Sequence, residues 1–426
     1  MRSAAAQSSA APASAARAAA AKKAPSLLWT DAWYLCGIAI AALVATDPAE
    51  LGLASHTIVK HLALAVCLGA ATLALLLRAA MPHKPGTGRV RPLGAPLAAA
   101  WPLALFALLV IGGSGYIRLA GGVDNTFLNY GLYVAMMFCA AAMMLQAPAP
   151  LALLRGYFAI LLGAALVMSA LLVAYAGRKQ VYHEQIFLVI PMAALCFAGG
   201  GPALLRWAGA AFFLAMAWFS HKYTSYLVAA LCAAYLVALV WLPRLPRRGP
   251  LGRATAAYWG LLALLATGAV AAAFALRGGE GQPTGNPEFR LHTYGAAWQR
   301  FLDSPLWGSG FAREATEKFT LYDIGIARNM LPTHSDQLDL LANGGLAGYG
   351  LFAAGILMIA VLAWRRLLRP AHIARPEARY GHALALLSLA ALLTSCFNPI
   401  LLQPPMAALA WSNLGMLLGL ALRAEK

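Results

Sequence analysis

Several side chains in this sequence are of types that can carry positive charge or move a proton. The segment His334-Ser335-Asp336-Gln337-Leu338-Asp339-Leu340 sets a histidine beside acids and an amide. Upstream stand Arg290, Trp298 and the turn Pro305-Leu306-Trp307-Gly308-Ser309-Gly310. Two short polar turns add cations. One is Gly177-Arg178-Lys179-Gln180, followed by Tyr182, His183 and Glu184. The other is Ser220-His221-Lys222-Tyr223. Arginine grips phosphate oxygens two at a time through its planar fork, whereas lysine acts as a point charge. A neutral histidine within hydrogen-bond reach of a hydroxyl can take its proton. Neighbouring Arg cations disfavour imidazolium and so keep such a histidine neutral. Each residue also has a plainer reading. His334 can be an ordinary loop histidine and Arg290 a lipid-headgroup contact. Arg178 can be a cation whose stem snorkels from the bilayer. Asp336 and Asp339 read as helix-start acids favoured by the dipole. Trp298 reads first as packing or an interfacial anchor, and the Gly and Pro of the 305–310 turn as conformational.

No metal or cofactor is expected. His183-Glu184 begins like HExxH, but position 187 is Phe. Cys36, Cys67, Cys139, Cys196, Cys232 and Cys396 all fall in apolar runs without a CxxC pair, and read as small buried hydrophobes.

The elements that position these groups must be membrane helices. Of the 426 residues, 61% are hydrophobic and 11% charged, against about 25% charged in an average soluble domain. So few charges cannot cover a soluble surface of this size, and so much apolar area excludes intrinsic disorder. Runs of about 20 apolar residues fit a bilayer. Twelve are read, near 28–46, 57–80, 95–112, 126–146, 150–176, 184–199, 203–219, 223–243, 255–276, 344–364, 380–397 and 404–422. The sixth and seventh are short and divided by Gly199-Gly200-Gly201-Pro202.

The net charge of +17 would suggest nucleic acid in a soluble protein. Here it orients the chain. The tail with Arg2, Arg17, Lys22 and Lys23 goes to the cytoplasm. The loops 81–94, 244–253 and 365–379 then fall on the same side with most of the other cations. The excess faces anionic lipid headgroups, so no nucleic-acid partner is expected. The expected organisation has four parts. Residues 1–26 are a disordered basic cytoplasmic tail, and 27–276 carry nine membrane helices. Residues 277–343 form one large periplasmic segment, folded on the membrane surface with Trp298 and Phe301 on one face. Residues 344–426 carry three more helices and a short cytoplasmic C-terminus.

The order of motifs in the large outer segment resembles the O-antigen ligase and O-antigen polymerase family of bacterial membrane glycosyltransferases. The matching positions are Arg290, Trp298, Pro305, Leu306, Gly308, Gly310, His334, Leu338, Gly345 and Gly348. Ser335 stands where the family commonly has Asn, and Lys222 where it often has Arg. The resemblance is greatest to the ligase members. It implies an all-α polytopic membrane protein of the GT-C type, with about twelve transmembrane helices and a catalytic periplasmic loop.

The resemblance also implies a reaction. A glycan would pass from undecaprenyl diphosphate to a hydroxyl of lipid A–core in lipopolysaccharide biosynthesis, at the periplasmic side of the bacterial inner membrane. His334 would be the general base. Arg290, Arg178 and Lys222 would bind the diphosphate and stabilise its departing charge. Trp298, His221 and Gln337 would support them. The donor carries its own leaving group, so neither nucleotide nor metal is called for. An O-antigen polymerase or a protein O-oligosaccharyltransferase of the same family is the alternative. A transporter or flippase ranks behind both. The two halves show no convincing repeat, and the cations gather at the outer ends of spans rather than the midplane.

Overall fold

The computed structural model describes residues 29–46, 94–119, 128–174, 185–198, 202–220, 222–241, 286–311, 319–321, 326–328, 333, 335–401 and 403–424, with scattered positions between 62 and 76. The expected tail 1–26 and the expected span 255–276 lie outside the described residues, as does most of 57–80.

The described chain is built of helices. In order they are α1 (Trp29–Ala45), α2 (Ala95–Ala99), α3 (Trp101–Leu119), α4 (Leu128–Gln146), α5 (Pro150–Ala174), α6 (Ile186–Val189), α7 (Met192–Ala198), α8 (Ala203–Ser220), α9 (Tyr223–Trp241), α10 (Asn286–Asp303), α11 (Asp336–Ala363), α12 (Pro376–Ser395) and α13 (Pro404–Arg423). One antiparallel hairpin, β1 (Phe319–Leu321) with β2 (Ile326–Arg328), pairs Phe319 with Arg328 between α10 and α11. Among the described residues six helices are long and apolar enough to cross a membrane: α4, α5, α8, α9, α13, and α11 continued to Leu368. The stretches 29–45, 101–114 and 186–198 are apolar but shorter.

Two of these elements differ from the hydropathy reading for physical reasons. The span expected at 184–199 is broken into α6 and α7 around Pro191, whose ring removes a helical N–H. The span expected from 344 begins eight residues earlier, at Asp336. Residues 336–343 are polar enough to end an apolar run, yet they stay helical, with Asp336, Gln337 and Asn343 held by hydrogen-bond partners.

The centre of the bundle is α13, apolar all round as an enclosed helix must be and buried along its length. Its closest neighbour is α4. Gly415 and Gly419, four residues apart, form the seam. A methyl group at Gly415 would collide with the Met137 carbonyl, and one at Gly419 with the Ala141 carbonyl. In lipid the apolar tails offer no hydrophobic gain for helix association, so close backbone packing through small residues has to supply it. Polar bonds fix the register. Tyr157 Oη donates to Asn413 Oδ1 at 2.8 Å. Arg423 donates to the Leu145 and Ala147 carbonyls at 3.1 and 2.6 Å, where α4 ends.

Candidate active site at one end of the bundle

The polar segment after residue 332 is pinned from several sides. Ser335 caps α11 by accepting the Leu338 N–H at 3.3 Å. Asn would cap equally well, so the departure from the family pattern at this position preserves the helix start. Asp336 is fully buried. Its Oδ1 accepts from Tyr130 Oη at 2.6 Å, at the start of α4, and its Oδ2 accepts the Leu401 N–H at 2.7 Å, just before α13. Asp339, also buried, accepts the Thr333 N–H at 3.1 Å. Thr333 Oγ1 donates to the Ser335 carbonyl at 2.8 Å. The two aspartates are therefore more than helix-start acids. They tie the segment containing position 334 to α4 and to the 398–401 turn.

Gln337 belongs to the same scaffold. Its Nε2 donates to Ser395 Oγ at 2.7 Å, and its Oε1 accepts from Tyr349 Oη at 3.2 Å. It braces α11 against the end of α12. Asn398 Nδ2 donates to Thr224 Oγ1 at 3.4 Å. This brings in the start of α9, where the carbonyl of Lys222 accepts the Ser225 and Tyr226 N–H groups. The starts of α4, α9 and α11 and the end of α12 thus meet at one end of the bundle. These are the ends that the charge distribution assigns to one side of the membrane.

The turn motif has a backbone function. Within α11, Gly345 takes φ 58° and ψ −166° and breaks the helix into two parts. The break frees carbonyls before it and N–H groups after it. The 305–310 turn satisfies both sets. Ser309 N and Gly310 N donate to the carbonyls of Ala342 and Asn343 at 2.9 and 3.1 Å. The carbonyls of Pro305 and Leu306 accept from Leu346 N and Ala347 N at 2.9 and 3.0 Å. Two backbones this close leave no room for side chains. A Cβ at Gly345 would lie 2.5 Å from Gly308 N, and one at Gly308 (φ 71°) would lie 2.5 Å from the Asn343 carbonyl. Only glycine adopts these angles without cost. Asn343 Nδ2 donates to the Asp339 carbonyl at 2.7 Å and stiffens the first part. Phe311, buried and edge-on to Phe106, anchors the exit of the turn in the core.

The expected site residues are placed unevenly. Lys222 is half-buried at the start of α9. Trp298 is 49% exposed on α10, tilted against Phe301 at 5.1 Å. The packed face of α10 is a different one. Thr293 and Ala297, four residues apart, are buried instead, and α10 packs against α11. Arg290 lies in α10, with its side chain outside the described residues. Arg178, His221 and His334 also lie outside them, although both sequence neighbours of His334 are buried and hydrogen-bonded. Sequence reading missed Tyr130, Thr333 and Asn343. The available signal was weak: a tyrosine and an asparagine inside otherwise apolar helices. Among the described residues no three His, Cys, Asp or Glu side chains converge.

This arrangement is that of a predominantly helical, multi-pass membrane protein with a polar platform built at one end of the bundle. Against known families, the O-antigen ligase family model matches residues 208–353. That stretch contains most of α8, all of α9 and α10, the glycine turn and the first half of α11. The resemblance read from the motif order is thereby borne out over this stretch, and it supports an enzyme of glycan transfer. No curated protein matches the chain.

Proposed function

We propose that the protein is an O-antigen ligase of the bacterial inner membrane. It transfers a glycan from undecaprenyl diphosphate to a hydroxyl of lipid A–core on the periplasmic side. The observation that carries this reading is a coincidence of position. The family match covers the starts of α9 and α11 and the glycine turn, which form part of the polar end of the bundle. His334 acts as general base on the acceptor hydroxyl, within a segment tied down by Thr333, Ser335 and Asp336. As the glycosidic carbon is attacked, negative charge collects on the departing diphosphate. Arg290, Arg178 and Lys222 stabilise it, and positioned cations in a site shielded from water act strongly on developing charge. These side chains supply the positive charge, so the step is metal-independent. Exposed Trp298 offers an apolar face to a sugar ring.

The test is reconstitution of the purified protein with lipid-linked glycan and lipid A–core acceptor, without nucleotide and with a chelator present. A glycan–lipid conjugate is expected, and its loss in His334→Ala and Arg290→Ala variants that retain wild-type thermal stability. Undiminished transfer by His334→Ala removes the general-base role. A chelator that abolishes transfer removes metal independence. Ladders formed from the donor alone would reassign the chain to the polymerase reaction of the same family.

A further inference from the structure

One buried carboxylate oxygen of the polar platform stands without a hydrogen bond among the described residues. It belongs to Asp339, which is 1% exposed. Asp339 Oδ1 accepts the Thr333 N–H at 3.1 Å, and Oδ2 is the bare atom. A buried acceptor left unpaired costs free energy, so a donor is called for. Asp336, the other acid of this turn, has both oxygens filled, by Tyr130 Oη and by Leu401 N.

The start of α11 points to the donor. Ser335 is the N-cap, with extended backbone at φ −147° and ψ 105° and its hydroxyl on the Leu338 N–H. At such a helix start the side chain before the cap often lies against the fourth helical side chain. Counted from Ser335, those two residues are His334 and Asp339. Two bonds close the chain around position 334. Thr333 N reaches Asp339, and Thr333 Oγ1 donates to the Ser335 carbonyl at 2.8 Å. Covalent geometry then keeps Asp339 Oδ1 at most about 8 Å from the Cα of residue 334, comparable to an imidazole plus one hydrogen bond. A helix-start acid needs only the dipole, and neither its burial nor a bond to Thr333. The other charged or titratable groups acting on Asp339 are Arg300 in the last turn of α10, which packs on α11, Asp336 on its own turn and Tyr130 of α4.

We propose that Asp339 is a positioning residue for the general base: its free Oδ2 accepts one ring N–H of His334 and leaves the other ring nitrogen bare toward the acceptor hydroxyl. The inference rests on the general-base reading of His334. A base oriented by a third group is held in one tautomer and in line with the proton it takes. That proton passes from the hydroxyl oxygen to the bare nitrogen, and the carboxylate stabilises the imidazolium that forms. Arg300 offsets part of this pull, so the ring stays neutral until the acceptor arrives.

NMR of the full-length protein in detergent, with ¹⁵N-labelled histidine, reads the contact without any transfer. The His334 signal is the one missing from His334→Ala. The wild-type ring should hold a single neutral tautomer. Asp339→Asn keeps a carbonyl oxygen for Thr333 N but turns an N–H toward the ring. It should mix the tautomers and lower the His334 pKa by about one pH unit, because the opposite charge that favoured imidazolium is gone. In the reconstituted transfer assay, Asp339→Asn should lower kcat roughly tenfold or more with KM unchanged, and should move the acidic limb of kcat down by the same interval as the ring. A wild-type ring in two tautomers overturns the proposal, whether or not the variant folds. So does a His334 titration unmoved in Asp339→Asn, or a fall in kcat with the acidic limb in place, which is the mark of a merely structural residue. Transfer retained by His334→Ala would sink the general-base reading instead, and the ring titration would still decide the contact.

Discussion

Gly345→Ala isolates the backbone bridge between the 305–310 turn and α11. The substitution adds one methyl group and no charge. At φ 58° and ψ −166°, a residue with a Cβ sits in a region open almost only to glycine, at a cost of about 1–3 kcal/mol. The methyl would also lie 2.5 Å from Gly308 N and from the Leu306 carbonyl carbon and oxygen. All three are backbone atoms that cannot rotate away. The turn must therefore move outward, which strains the four backbone bonds joining Pro305, Leu306, Ser309 and Gly310 to α11. Each contributes about 1 kcal/mol net, and more where a buried group is left unpaired. Losing half of them brings the total to roughly 3–5 kcal/mol. Gly350→Ala is the matched control. It lies on the same helix with nothing within 4 Å of the new methyl, so helix propensity makes it neutral or slightly stabilising. Thermal unfolding of the detergent-solubilised protein, followed by loss of the monodisperse peak after heating, reads both. Gly345→Ala should lower Tm by roughly 3–6 °C and abolish transfer, while Gly350→Ala should leave both unchanged. If the two variants behave alike, the turn does not brace the helix break and the account of the glycine motif fails.

Three other perturbations probe different parts of the fold. Asp336→Asn turns an amide N–H toward either Tyr130 or Leu401 N, two groups that both donate to the carboxylate. A loss of about 1–3 kcal/mol in stability is expected, and Tyr130→Phe should cost less because it removes one partner without adding a clash of donors. Equal Tm values for Asp336→Asn and wild type would contradict the two bonds. Gly415→Val drives a branched side chain into the Met137 carbonyl and should prevent recovery of folded protein, whereas Gly163→Ala, with nothing within 4 Å, should be silent. Trp298→Ala removes a half-exposed ring, so its stability cost should stay within about 1 kcal/mol. A larger fall in transfer than in Tm would then mark a substrate contact, and a parallel fall in both would mark packing.

Hydropathy located helix bodies well where the sequence changes character abruptly. The expected span 404–422 became Pro404–Arg423, and 126–146 became Leu128–Gln146. It failed where polar residues are buried in pairs. Asp336, Gln337, Asp339 and Asn343 ended the apolar run on paper, yet Tyr130 and Leu401 N bond Asp336, Ser395 bonds Gln337, Thr333 N bonds one oxygen of Asp339, the Asp339 carbonyl bonds Asn343, and the helix begins at Asp336. No scale that scores residues one at a time can see a partner about 200 positions away. The cap was legible, since Ser335 stands before two acids in a first turn. Close approach of α10 to α11 buries Thr293 and Ala297 and leaves Trp298 outside.

The family-like motif also changes meaning once the geometry is known. Pro305, Leu306, Gly308 and Gly310 on one side, and Gly345 on the other, lie 35 or more positions apart in the chain but form one backbone bridge. Their spacing does not encode chemistry. It encodes how a membrane helix can be interrupted without leaving hydrogen-bonding groups bare, which lipid forbids. The break has a use. The first part of α11 is polar on several faces and sits in the polar end of the bundle. The second part is apolar and fits the bilayer. A continuous helix would hold both parts to one axis, whereas the bridge lets Ser335 to Asn343 be set by Tyr130, Leu401 and Ser395. On this argument the glycines matter to the reaction only through the position of residue 334. Gly345→Ala and His334→Ala should therefore differ in one respect. The first loses stability and transfer together, and the second loses transfer alone.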